Sequence, residues 1–311
     1  MKILLTGASS FTGYWFAKTL AENNHDVTCA YTAGSAEQYA GVRRERVALL
    51  DKTVAQEFGV RFGDEKFIRL LRGSKFDLLC HHAADVRDYK SPEFKVLEAV
   101  SSNTSNVAAT LAALTDNGGS LVLTGSVFEG GEGAGSDSLP HFSPYGLSKS
   151  LTAQVFEYYA RNLQLNYGKF VIPNPFGPYE EPRFTAYLMK SWLKGEVPKV
   201  NAPEYVRDNI HVKLLARYYH AFCEEVSKGG WKKISPSGIV CSQGLFTQMV
   251  AREAASRLHL PCDFILEKQT QFTEPLMRVN TDKKREITDA FSEKEAWDEF
   301  VEYYSRSGSQ K

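Results

Sequence analysis

The chain has 311 residues, 43% hydrophobic and 24% charged, an ordinary balance for a globular protein with one large or two interlocked cores. Its 37 Lys and Arg are matched by 37 Asp and Glu, so no net field attracts nucleic acid or an anionic membrane. The five cysteines (Cys29, Cys80, Cys223, Cys241, Cys262) form no CxxC or metal-ligand spacing; with no signal-peptide core and no run of the ~18 apolar residues a membrane span needs, a reducing, cytoplasmic location is expected.

Ile3-Leu4-Leu5 is a short apolar run, followed by Thr6-Gly7-Ala8-Ser9-Ser10-Phe11-Thr12-Gly13 and then a helical pattern through Phe16, Leu20 and Ala21. This predicts a strand, a glycine-bearing turn and a helix. Gly7 allows the tight turn, Gly13 allows close helix packing, and the amides of Ser9, Ser10, Phe11 and Thr12 stand where a pyrophosphate would sit. Ser10 replaces the middle glycine of the usual spacing with another small residue. His25 to Tyr31 reads as the second strand. Where an acid would hold an adenosine ribose, the chain has Tyr31, Thr32 or Ala33, and Arg43, Arg44 and Arg46 follow; a cation suits a 2′-phosphate, so NADP is expected over NAD.

Arg46 to Asp51 reads as a third strand, with Asp51 placed to touch the adenine, and a helix through Phe67, Leu70 and Leu71 leads to the strand Phe76 to Ala84. His81 and His82 are adjacent on that strand and point to opposite faces, so no metal site is expected there. Ala83 and Ala84 are small enough for a flat cofactor to approach the backbone. Asn103 is expected to open a helix over 104–114, and Ser120 to Thr124 is a further buried strand, with Thr124 or Ser126 emerging at its end. The alternation of strands and helices predicts an α/β fold, a Rossmann-type doubly wound parallel sheet with ligands at the carboxyl ends of its strands.

The stretch 130–138, rich in glycine, is expected to be a mobile edge of the site. Ser143 can cap a helix and Pro144 suits its first turn, which puts Tyr145 and Lys149 at i and i+4 on one face. A phenol with a pKa of about 10 shuttles protons poorly at neutral pH, but a neighbouring cation stabilises its phenolate. The same helix carries Val155, Phe156, Tyr158 and Tyr159, more aromatic surface than one core face needs, and a homodimer is expected. Lys169 to Pro173 is another strand. The proline-rich loop from Asn174 to Tyr179 is expected to be irregular, with Arg183 at its rim, and Phe184 to Leu193 to be helical. Tyr205-Val206-Arg207-Asp208 precedes a helix through Leu214 and Phe222, Glu293 to Tyr304 forms the last helix, and 305–311 is a frayed tail.

Together these pieces, with His82-Ala83-Ala84, Thr124-Gly125-Ser126-Val127-Phe128, Pro173 to Pro178 and Arg207 to Val212, resemble the extended short-chain dehydrogenase/reductase family, in particular its nucleotide-sugar epimerases, dehydratases and 4-ketoreductases. The resemblance implies that Tyr145 is the catalytic acid/base, that Lys149 binds the nicotinamide ribose, and that Thr124, or alternatively Ser126, holds the reacting C4 oxygen. It also implies that Asn103 and Pro173 serve the cofactor and that Asn174, Arg183, Arg207 and Arg278 serve a nucleoside-diphosphate sugar. Dehydratases of this family carry an acid at or next to the two positions after the Thr, here Gly125 and Ser126, so a 4,6-dehydratase is disfavoured. The expectation is a 4-ketoreductase of an NDP-deoxy-hexulose; the rivals are an NDP-sugar 4-epimerase with tightly held NAD and a non-catalytic binding protein. The expected division is a cofactor domain over 1–172, with 205–230 packing back on it, and a substrate part over 173–204 and 231–311.

Overall fold

The structure is a computed structural model and describes residues 1–136, 138–141 and 143–308. In chain order its elements are β1 (Lys2–Thr6), α1 (Phe11–Glu22), β2 (Asp26–Tyr31), α2 (Gly41–Leu50), β3 (Ala55–Phe58), α3 (Glu65–Ser74), β4 (Leu78–His81), α4 (Val96–Asn103), α5 (Val107–Asp116), β5 (Ser120–Ser126), β6 (Ala134–Gly135), α6 (Pro144–Asn162) and β7 (Tyr167–Ile172). They continue with β8 (Asn174–Phe176), α7 (Phe184–Leu193), β9 (Lys199–Val200), β10 (Val206–His211), α8 (Val212–Ser227), β11 (Trp231–Ile234), β12 (Ile239–Ser242), α9 (Gln243–Leu258), β13 (Ile265–Leu266), β14 (Met277–Val279), α10 (Arg285–Thr288) and α11 (Glu293–Gly308).

The chain forms two compact units. The first comprises 1–132, 140–172 and 216–235, the second 133–139, 173–215 and 236–311. These borders differ from the expected ones at 133–139, 205–215 and 231–235, because β10 joins the second unit while β11 adds a strand to the first.

The first unit holds a seven-stranded sheet in the order β11-β7-β5-β4-β1-β2-β3, parallel throughout. It is the expected Rossmann-type arrangement. Parallel strands covered on both faces read as continuous apolar runs, and Ile3, Leu4, Leu5, Leu78, Leu79, Leu121 and Val122 are all fully buried. One core joins Leu4, Leu79, Leu121 and Leu123 to Phe67, Leu71, Leu111, Leu114 and Phe156 of the helices. Elsewhere in this unit Phe16 stacks on Tyr219 with ring centroids 3.8 Å apart. The chain order reverses between β1 and β4, so the turns after these strands flank the switch point where ligands of such sheets bind.

The second unit contains a five-stranded sheet, β12-β10-β14-β6 with β8 paired to β10. Its core gathers Phe176, Leu188, Trp192, Phe246, Val250, Trp297, Phe300 and Tyr304 from β8, α7, α9 and α11. Phe184, partly buried, packs against the same core beside Leu188 and Trp192.

Several local expectations are corrected. The run 46–50 is the end of helix α2, not a third strand: Val47 and Leu50 are buried three apart while Ala48 and Leu49 are exposed, a helical period. Asn103 ends α4 instead of opening a helix, and the following helix starts at Val107. Asn174–Phe176 is regular enough to pair with β10 in parallel register, since among the described residues Pro175 lies on a strand with no partner on its other side. Ala134–Gly135, inside the glycine-rich stretch, pairs with β14; Asp137 of that stretch lies outside the described residues. The last helix continues through 308, beyond the expected end at Tyr304; the remainder of the expected tail, 309–311, is outside the described residues.

Candidate active site

At the switch point the turn after β1 is built around backbone contact. Gly7 has φ of +84°, and a Cβ there would lie 2.9 Å from the Ala83 amide nitrogen. A Cβ on Gly13 would lie 2.2 Å from the Gly7 carbonyl oxygen. The two glycines therefore let β1, α1 and the end of β4 meet at backbone distance. Ser10 does more than leave room. Its hydroxyl accepts from the Gly13 amide at 3.2 Å, donates to the Gly7 carbonyl at 2.8 Å and meets His82 Nε2 at 3.1 Å. It caps α1, whose first amides belong to Phe11 and Thr12; Phe11 itself is buried and Thr12 Oγ1 meets His82 Nε2 at 2.9 Å. A helix start cradled this way favours an anion, and a diphosphate fits it. Ala83 and Ala84 are half-buried beside it, and Ser9 presents its carbonyl behind it.

The two histidines are absorbed by this scaffold. His81 Nδ1 meets Thr6 Oγ1 at 3.0 Å, and the same hydroxyl accepts from the amides of His82 and Ala83 at 3.2 and 3.1 Å. Burial, and then the Lys149 ammonium, lowers both imidazoles to about 3, so they remain neutral.

Helix α6 starts as its sequence dictates. Ser143 Oγ accepts from the Gly146 amide at 3.0 Å and Pro144 occupies the first turn. A Cβ on Gly146 would lie 2.2 Å from the Phe128 carbonyl oxygen, so this glycine lets the first turn press on the loop after β5. Tyr145 is half-buried, with edge-on rings of Tyr89, Phe94 and Phe128 at 5.5, 6.0 and 6.4 Å. Lys149, one turn later, is buried, and its Nζ donates to the Thr124 carbonyl at 2.7 Å. The pair predicted from spacing alone is thus anchored at the carboxyl end of β5. The roles of the two candidate hydroxyls are less direct. Thr124 is buried with its side chain beside the Tyr219 phenol, and Ser126 Oγ accepts from the Phe128 amide at 3.2 Å.

A buried charge network behind Lys149 escaped the sequence reading. Glu129 is fully buried; its Oε1 accepts from the Ser126 amide at 2.8 Å and its Oε2 pairs with Lys169 at 2.7 Å. Lys169 also pairs with Glu132 at 2.9 Å, and Glu132 with Lys233 at 2.6 Å. Gly125 leaves close room for this network, since a Cβ there would stand 3.0 Å from both Glu129 Oε1 and Lys169 Cε. Burial lowers the Lys149 pKa, the Glu129 carboxylate raises it again, and Lys169 lowers it. The available signal was Lys169 itself, a charge inside the apolar run of a central strand, which needs a buried partner.

On the adenosine side the expectations fare unevenly. Tyr31 ends β2 but is buried and stacked on Phe58 with centroids 5.0 Å apart. Asp51 follows α2 and is exposed, far from the role of a strand-end acid; Arg43 is exposed on the same helix. The cation that reaches the glycine turn is Arg46, fully buried, whose Nη1 donates to the Ser9 carbonyl at 2.8 Å. Asn103 is buried and holds the loop after β4: its Oδ1 accepts from the Asp85 amide at 2.8 Å and its Nδ2 donates to Thr152 at 3.4 Å.

In the second unit, Pro173 is buried and Asn174 begins β8 opposite Asn209 of β10. The Nδ2 atoms of both asparagines, and Nε2 of His211, are buried without a hydrogen-bond partner. Arg207 and Arg278 face each other in register across β10 and β14, both buried. The Arg207 guanidinium is engaged: it donates to the carbonyls of Val206, Pro275 and Leu276 at 3.0–3.2 Å and pairs with Glu274 at 2.8 Å. Asp208 accepts from the Gly238 and Asn280 amides at 2.8 and 3.2 Å, with burial raising its carboxyl pKa. Arg183 is half-buried at the N-cap of α7.

The family model described as "NAD dependent epimerase/dehydratase family" matches residues 3–234. Among solved structures, the UDP-glucose 4-epimerase of Thermotoga maritima with UDP-glucose is similar, with a TM-score of 0.74 and 19% identity over 99% of each chain. The UDP-glucuronic acid 4-epimerase of Bacillus cereus with UDP-glucuronic acid and NAD has a TM-score of 0.75 and 17% identity, over 99% of this chain and 100% of that one. The UDP-glucose 4-epimerase of Thermus thermophilus with NAD has a TM-score of 0.71 and 19% identity, over 98% of this chain and 99% of that one. No curated protein sequence matches the chain. Identities this low carry the fold alone.

Proposed function

Because the chain belongs to the NAD-dependent epimerase/dehydratase family, we propose that it is an oxidoreductase acting on a nucleoside-diphosphate sugar, and specifically a 4-epimerase that uses NAD. The observation that carries the reading is the anchored pair of α6: Tyr145 half-buried among three rings, with Lys149 one turn away and fixed to the Thr124 carbonyl at 2.7 Å. The ketoreductase first expected uses the same residues; the epimerase is preferred because the matched family is described by NAD and epimerase chemistry, and the 4-epimerases named above share its fold.

Gly7, Gly13 and Ala83 leave room for a diphosphate at the start of α1, which the Phe11 and Thr12 amides would bind. NAD held there would supply the hydride-transfer chemistry at the sugar C4. Tyr145 takes the C4 hydroxyl proton as the carbonyl forms and gives it back on reduction. Lys149, held in place by the Thr124 carbonyl, stabilises the phenolate. Asn174, Arg183, Arg207 and Arg278 are proposed to bind the nucleotide sugar; for Arg207 this requires Glu274, half-exposed, to yield its side of the guanidinium.

A second reading, an NADP-dependent 4-ketoreductase, is favoured by one observation. The end of β2 offers Tyr31 instead of a carboxylate, and the buried Arg46 stands behind the glycine turn. Cofactor released from the purified protein and assay with UDP-glucose distinguish the two. Retained NAD and a 4-epimer product are expected, with Tyr145→Phe at least about a hundredfold slower. Exchangeable NADPH consumed by a 4-keto sugar replaces this reading with the reductase. No turnover, and a biological role indifferent to Tyr145→Phe, replaces both with a binding protein.

A further inference from the structure

Three side chains of the first unit converge away from the glycine turn. His25 lies between α1 and β2, at the amino end of its strand, whereas the diphosphate cradle follows the carboxyl end of β1. His220 and Glu224 are one turn apart on α8, which places them on one face. One ligand atom from each, counted together, lies within 4.8 Å of the others. His220 Nε2 stands 3.8 Å from Glu224 Oε1, and the His25 and His220 ring centroids are 5.2 Å apart.

Their i,i+4 spacing on α8 accounts for the approach of His220 and Glu224. It does not account for His25. His25 Nδ1 meets the amino group of Met1 at 3.3 Å, while Nε2 is buried with no hydrogen-bond partner. A buried imidazole nitrogen left unmatched beside a second imidazole and a carboxylate is costly unless something binds between them.

We infer that His25, His220 and Glu224 form a binding site for a divalent transition metal, with zinc the best match. Two imidazoles and a carboxylate are borderline ligands of the zinc type, and three protein ligands leave a fourth, tetrahedral position for water. Glu224 is about half exposed, so water has access. Ligand distances of about 2.0–2.2 Å require the three side chains to close by roughly an ångström, which rotamer changes supply. The ion would clamp the entry to β2 onto α8, a structural role that does not rest on the proposed activity.

The test uses the full chain without a histidine tag. Zinc is titrated calorimetrically, cobalt(II) is followed by its visible absorption, and thermal unfolding is recorded with and without zinc. One ion per chain is expected, with the unfolding midpoint raised by about 5 °C in excess zinc. Glu224→Gln and His220→Ala should each weaken binding by at least about tenfold, and binding should weaken on acidification as protons compete with the metal for its ligands. Absence of stoichiometric uptake by the unaltered chain overturns the inference, as does uptake unchanged in Glu224→Gln, whose half-exposed side chain is not needed for folding.

Discussion

Lys149 shows how the charge state of a single group is set by residues that no motif contains. Its ammonium is buried, and its surroundings are Glu129 from the loop after β5, Lys169 from β7, and the neutral His81 and His82 from the end of β4. Burial disfavours the cation and Glu129 offsets part of that effect. Glu129→Gln should therefore lower the Lys149 pKa and move the alkaline limb of the rate profile to lower pH. Competitive labelling of Lys149 against pH, with and without cofactor, reads the same shift without turnover. An unmoved Lys149 in a folded variant would mean that the Glu129 carboxylate is a structural partner of Lys169 and nothing more. Tyr145 and Lys149 were legible from spacing because i and i+4 neighbours are fixed by helix geometry. Glu129 was not, because its partner Lys169 lies on another strand.

At the scale of elements, Glu180 ties α7 to α11 in the second unit. It is buried, accepts from Thr185 in the first turn of α7, and accepts from the Tyr304 phenol of α11 at 2.7 Å. Burial raises its carboxyl to about 7, against the hydrogen bonds from Thr185 and Tyr304. The folded chain thus holds this proton above the ordinary carboxyl range, where the unfolded chain has lost it. Stability contributed by this group is present below about 4.5 and is lost as pH rises to about 7, by on the order of 3 kcal/mol. Glu180→Gln should flatten that decline, so urea unfolding at pH 5 and pH 8 should differ less in the variant than in the parent. An equal difference in both chains would rule Glu180 out as its source. The boundaries of α2 teach a related point: Val47-Ala48-Leu49-Leu50 suits a strand or a helix equally, and the buried Arg46, with its bond to Ser9, belongs to the helix that the tertiary structure selected.

At the scale of the whole molecule, α4 and α6 of the first unit pack side by side and present Leu97, 79% exposed, and Tyr158, 61% exposed. Such side chains on adjacent helices suit a two-fold pairing of identical helices. Light scattering should give twice the chain mass, and Leu97→Ser with Tyr158→Ser should give a monomer that still binds cofactor. A monomeric parent at working concentration removes the dimer. Among the described residues no helix is long and apolar enough to cross a membrane.

The alternation of strands and helices, the glycine turn at Gly7 and Gly13, the cap at Ser143 and the Tyr145–Lys149 pair were determined by the sequence by itself, because each rests on local periodicity, backbone freedom or a hydrogen bond within one turn. Tertiary structure alone decided that Ser10 and His82 lock that turn, that Glu129 and Lys169 stand behind Lys149, that Arg207 is engaged by Glu274, and that His25 meets His220 and Glu224. These groups are far apart along the chain. Their energies depend on separation and burial, which sheet register and helix packing set and which no residue pattern states.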